Sequence, residues 1–137
     1  MRTRLFTTFS ALLLLTFGAL AQSSQSRFNI PFEFHVGAAT LPPGLYLVSP
    51  QGVSNIMLIR SEDNRHNVMV STGAVQKLKT PEHSSLIFNR YGEDYFLSEV
   101  WTTGYDQGRG LTQSALEREY ARVASQVKAQ QTAVARR

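Results

Sequence analysis

The sequence contains no cysteine. Disulfides, thiolate metal sites and an N-terminal lipid-modified cysteine are therefore excluded, and the fold has to be held by apolar burial alone. It has three histidines, His35, His66 and His83, dispersed along the chain without His-x-His or His-Glu-x-x-His spacing, so no metal site is expected. Gly-x-Ser-x-Gly is absent, and so is any Gly-Lys-Ser/Thr or Rossmann fingerprint. Gly104, Gly108 and Gly110 surround Arg109 without a strand–glycine–helix setting, and Thr103–Gly110 reads as a flexible connector. Nothing points to a cofactor. No apolar run reaches the ~20 residues that span a bilayer.

What is present begins with a leader. Arg2 and Arg4 precede an apolar stretch from Leu5 to Phe17, followed by Ala19-Leu20-Ala21. The stretch fits the roughly 7–15 residues of a signal-peptide core, with small residues where a signal peptidase cuts. Residues 1–21 are expected to be a signal peptide cleaved after Ala21, giving a periplasmic or secreted chain without a transmembrane segment. The formal net charge is +4 from 14 basic and 10 acidic residues. Loss of Arg2 and Arg4 reduces it to +2. That excess is too small and too dispersed for nucleic acid, despite the alternating Lys77 and Lys79.

Residues 22–26 are polar and read as a disordered linker, and one domain follows over residues 27–130. Phe28, Ile30, Phe32, Phe34 and Val36 alternate with polar residues, which predicts a strand with one buried face. Pro31 cannot donate to a ladder, so the strand lies at a sheet edge or carries a bulge; at an edge it is free to pair with a partner or a second copy through Phe28–Val36. Leu41-Pro42-Pro43-Gly44 suits a type II turn. Further strands are expected at 45–48, 55–60, 67–72 and 75–78. A hairpin follows, with strands 86–91 and 95–102 joined by a three-residue loop at Gly92-Glu93-Asp94. In that register Leu86, Phe88, Phe96 and Val100 share one face, and Ile87, Tyr91, Tyr95, Leu97 and Trp101 share the other. Both faces are apolar and both require cover.

Ser114-Ala115-Leu116-Glu117 has capping-box spacing, and Leu116, Tyr120, Val123 and Val127 form a helical stripe. An amphipathic helix over 114–130 is expected to pack on the Trp101 face, with residues 131–137 a frayed basic tail. The fold class is mainly β: a small antiparallel sandwich or open barrel of about seven strands with a C-terminal helix.

The segments Phe32-Glu33-Phe34-His35-Val36-Gly37, Leu41-Pro42-Pro43-Gly44-Leu45-Tyr46, Arg90-Tyr91-Gly92, Tyr95-Phe96-Leu97 and Val100-Trp101 occur in that order. Together they resemble a family of small exported bacterial β-rich proteins without a characterised function. The resemblance implies an exported β domain and carries no catalytic or ligand residues.

Candidate functional residues are few. Glu33 and His35 share the polar face of the first strand and have acid–base chemistry, though no nucleophile accompanies them. Trp101 and Tyr105, with Tyr91 and Tyr95, offer stacking surfaces for a sugar or peptide. Glu99 falls on a covered face, where a carboxylate needs a partner, and Arg118 or Arg122 of the helix is the expected ion-pair partner. The leading expectation is a non-catalytic binding or scaffold domain for an envelope protein or glycan. The alternative is a small envelope hydrolase acting on glycan or peptide through Glu33/His35 or Glu99.

Overall fold

The computed structural model describes residues 25–52, 55–124 and 130–135. The leader and Gln22–Ser24 lie outside these residues. Ten strands and one helix follow in the order β1 (Ser26–Ile30), β2 (Phe34–Val36), β3 (Ala39–Leu41), β4 (Gly44–Pro50), β5 (Ile56–Ser61), β6 (Asn67–Gln76), β7 (Ser85–Tyr91), β8 (Asp94–Trp101), β9 (Gln107–Leu111), α1 (Ala115–Val123) and β10 (Gln130–Ala135). The fold is mainly β, as expected, in a single open sheet.

Hydrogen-bonded neighbours run β1-β4-β5-β6-β9-β8-β2-β3, and β7 joins β8 to β10. All pairings are antiparallel except β2 with β8. β10 comes close to β1 without pairing with it, so the barrel stays open there. β6 changes partners along its length. Its first half, Asn67–Ser71, pairs with β5, and its second half, Thr72–Gln76, pairs with β9 on the other edge. Two strands were expected here, 67–72 and 75–78, separated by Gly73-Ala74. One continuous strand forms instead because each half has its own neighbour.

The alternating segment is also divided differently. Phe28, Ile30, Phe34 and Val36 are all buried, as the period of two requires. The chain breaks at Pro31, however, and β1 and β2 enter distant parts of the sheet. β1 lies at one end beside β4, while β2 sits between β3 and β8. The single edge strand Phe28–Val36 expected to self-associate therefore does not exist. Ser26, assigned to the linker, already belongs to β1.

Pro42-Pro43 connects β3 to β4 without a type II turn. Gly44 is not among the positive-φ glycines, and it opens β4 opposite Ile30. The Tyr46 hydroxyl donates to the Pro42 carbonyl at 2.7 Å and pins this connection.

The hairpin loop is shorter than expected. Tyr91 pairs with Asp94, leaving only Gly92-Glu93 between the strands. Gly92 has φ +64° at the first central position, where a II′-type turn requires a positive value. A register shift follows, with Ile87 opposite Glu99 and Phe88 opposite Leu97. Ser98 is the extra residue, and this bulge moves Leu97 into the core while Phe96 turns outward. Leu97 joins Leu86, Phe88 and Val100 in the main core, whose aromatic centre is Phe34 packed edge-on to Tyr46 and Phe88.

The Thr103–Gly110 segment is not simply a connector. Gln107–Leu111 forms β9, and Gly108 permits close contact with Trp101. A Cβ at Gly108 would stand 2.7 Å from the indole, whereas one at Gly73 would meet nothing within 4 Å. Gly108→Ala is expected to cost about 1–3 kcal/mol by overpacking. Gly73→Ala, which also lies in a strand, is expected to be neutral or mildly stabilising. Paired urea-unfolding curves check this, and equal midpoints would remove the close-approach explanation.

The C-terminal region departs most from expectation. The Ser114 hydroxyl caps α1 by accepting the Glu117 N–H at 3.0 Å, as the spacing implied. The helix then ends at Val123 instead of Gln130, and Val127 lies outside the described residues. Residues 130–135, expected as the end of the helix and part of a frayed tail, pair with β7. The β7 edge offers a ladder of unpaired backbone groups, and Thr132 and Val134 favour strand over helix. Among the described residues no helix is long and apolar enough to cross a membrane.

Candidate functional site

The helix lies over the outward face of the β7–β8 hairpin, toward its tip. Paired positions Asn89/Phe96 and Tyr91/Asp94 place these residues on one face. Tyr120 packs on Phe96 with ring centres 5.3 Å apart, and His35 of β2 stacks on the same Phe96 ring at 4.4 Å. Glu117 is only 4% exposed. Its Oε1 accepts from Asn89 Nδ2 at 2.9 Å and from the Tyr91 hydroxyl at 3.2 Å. A buried carboxylate is tolerable when donors meet it, and these two bonds fasten the helix to the hairpin.

This arrangement rotates the helix by about one residue from the expected stripe. Glu117, Tyr120, Ala121 and Ala124 turn inward, while Val123 is 73% exposed. Beside Val123 a groove of about 460 Å³ opens between helix and hairpin, lined by Tyr91, Gly92, Glu119, Tyr120, Val123 and Ala124. Its walls are mostly apolar; the polar side-chain groups are the hydroxyls of Tyr91 and Tyr120 and the carboxylate of Glu119, which is paired with Arg122 at 2.6 Å.

His35 forms a second feature next to it. His35 is 8% exposed. Its Nδ1 shares a 2.9 Å hydrogen bond with the exposed Thr40 hydroxyl, and Nε2 makes a long 3.5 Å contact to Asp94 Oδ1. A carboxylate only accepts, so Nε2 is the donor toward Asp94, while Nδ1 meets the Thr40 hydroxyl. Thr40 is the direct cross-strand partner of His35, which accounts for the short bond without catalysis. Glu33 is exposed and makes no bond to His35 among the described residues, so the expected Glu33/His35 pair does not form.

The other candidates are dispersed. Glu99 does not reach Arg118 or Arg122. Its Oε2 accepts the Trp101 indole N–H at 2.6 Å, two residues along the same strand. Arg118 donates to the Gln113 carbonyl and Arg122 pairs with Glu119. Trp101 is 1% exposed, between Gly108 and Lys77, whose ammonium sits 4.2 Å from the ring centre. Its faces are occupied, so it offers no platform. Tyr95 is likewise stacked on Phe32 at 3.9 Å. Tyr105 is exposed. No group of three or more metal-ligating side chains occurs among the described residues.

No family model, curated protein or solved structure matches the chain.

Glu117 is the residue that sequence reasoning missed. Its capping-box spacing concealed a second role. Asn89 and Tyr91, both on the outward face of β7, were the available signal. Burial first, and the Glu117 charge and hydrogen bond second, raise the Tyr91 hydroxyl above the ordinary 10.0. The folded state therefore holds a proton that the unfolded chain releases. This contribution is fully present below about pH 10 and is lost as pH rises through the raised folded value. Stability should fall with alkaline pH, and Tyr91→Phe should flatten that slope. Urea midpoints measured across the tyrosine titration range check this, and an unchanged slope would separate Tyr91 from Glu117.

Proposed function

We propose that the chain is an exported, non-catalytic binding domain of the cell envelope, released by cleavage after Ala21 into the periplasm or beyond. The groove between α1 and the hairpin tip takes an apolar side chain of a partner protein. One observation carries this reading: the groove is walled by Tyr91, Tyr120, Val123 and Ala124, with a single, already paired carboxylate among its lining residues. A glycan would leave its hydroxyls short of donors and acceptors there. Export is supported by the leader and by the resemblance to small exported β-rich proteins. The candidate chemical groups have structural bonds: Glu99 with Trp101, Glu117 with the hairpin and His35 with Thr40.

Capture by the mature protein from envelope extracts tests the reading. Wild type is expected to retain a protein that Val123→Asp loses about tenfold or more, because the new carboxylate would be desolvated on docking. Retention unaffected by Val123→Asp would move binding away from the groove. Turnover of a peptidoglycan fragment or peptide by the mature chain, abolished in His35→Ala, would establish catalysis instead.

A further inference from the structure

The outward face of β4, β5 and β6 carries Leu45, Leu47, Ile56, Leu58 and Met69 beside Ser49, Asn67 and Ser71, where an open antiparallel sheet ordinarily meets water. Tyr46, Val48, Met57 and Ile59 point into the core, so the residues alternating with them point out. On that face register sets Leu47 beside Arg60, and Leu58 beside Met69. Leu45 and Ile56 extend the patch along their strands. The four aliphatic residues Leu45, Leu47, Ile56 and Leu58 are partly exposed, and Met69 is 67% exposed. α1 lies on the β7–β8 hairpin and leaves this patch uncovered.

Arg60 stands within the patch. Its Nε is shielded from solvent, with no hydrogen-bond acceptor among the described residues. Arg27, paired across β1 and β4 with Leu47, is already matched by Glu62 at 2.6 Å. The patch therefore combines unclaimed apolar surface with one partly exposed cation that has no ion pair among the described residues. A carboxylate is the strongest acceptor for the exposed end of a guanidinium.

We propose that this face docks an acidic amphipathic segment of a partner protein, with apolar residues against Leu47, Leu58 and Met69 and a carboxylate on Arg60. The protein already uses this chemistry once, where Tyr120 packs on Phe96 and the Glu117 carboxylate meets hairpin donors. A lipid surface fits less well, since the leucines lie within the sheet face and only Met69 protrudes. A two-fold copy fits less well too, because it brings a second Arg60 and no unpaired carboxylate to the shared patch.

Site-specific photocrosslinking tests the proposal. Met69 is replaced by p-benzoylphenylalanine in the full chain, and the adduct formed in the producing cells is sequenced. The expected product is an adduct to another protein through a segment containing Asp or Glu. Its yield is expected to fall about tenfold in an Arg60→Gln background, the loss of one charge-assisted hydrogen bond, and to survive largely in Arg60→Lys. Val123→Asp is expected to leave it unchanged, which separates this face from the groove. Adducts only to lipid or to a second copy, an adduct segment without carboxylates, an Arg60→Gln yield equal to wild type, or no adduct at all would each overturn the proposal.

Discussion

Phe88→Ala is expected to destabilise the domain by about 3–5 kcal/mol, the usual range for deleting a fully buried phenylalanine. Phe88 is 0% exposed and contacts Phe32 and Phe34 edge-on, at 5.2 and 5.6 Å between ring centres. It also faces Leu97 across the bulge, so the cavity would open where β2, β7 and β8 meet. Without a disulfide to restrain the unfolded chain, no covalent constraint offsets this loss. A domain of this size is stable by only about 5–15 kcal/mol, so a large share of the margin would go. Urea unfolding measures it directly. A loss below about 1 kcal/mol would mean that Phe88 is not at the centre of the core.

Glu117→Ala should release the helix. It removes the acceptor shared by Asn89 Nδ2 and the Tyr91 hydroxyl and leaves both donors facing an apolar contact. Hydrogen bonds to a charged group contribute about 1.5–3 kcal/mol each, and an abandoned buried donor costs a comparable amount. The expected loss is about 3 kcal/mol, concentrated in α1. Limited trypsin digestion should then cut at Arg118 or Arg122 well before the strands unfold. Glu117→Gln keeps the shape and one carbonyl acceptor, so its effect should be clearly smaller. Equal digestion of wild type and Glu117→Ala would show that other contacts hold the helix.

Much of the fold was legible in the sequence because period-two burial is a strong signal. Phe28, Ile30, Phe34 and Val36 were assigned inward and are inward. The break at Pro31 was not legible in its consequence, since local pattern does not say which neighbour each half will find. The hairpin shows the same limit. Its strands were placed well, yet one extra residue at Ser98 exchanged the faces of Phe96 and Leu97. The start of the helix was readable from Ser114 and Glu117, because capping is local chemistry. Its end was not, because pairing of residues 130–135 with β7 is a non-local choice.

The candidate site was less legible than the fold. Stacking surfaces were sought in Trp101, but a large aromatic in a small cysteine-free domain is more useful inside it. Glu99 was expected to need a distant cation, and the nearer Trp101 indole satisfies it. The groove depends on which side of α1 faces the hairpin. That choice turned on Glu117 finding two donors and on the small Ala121 and Ala124 turning inward with it.

Hydrogen–deuterium exchange of the mature protein, free and bound to the partner captured by its groove, tests the central claim most directly. Slowed exchange at Tyr91–Gly92 and Glu119–Ala124 is the expected result, since these backbone segments frame the groove. Unchanged exchange there, with protection confined to other strands, would contradict it.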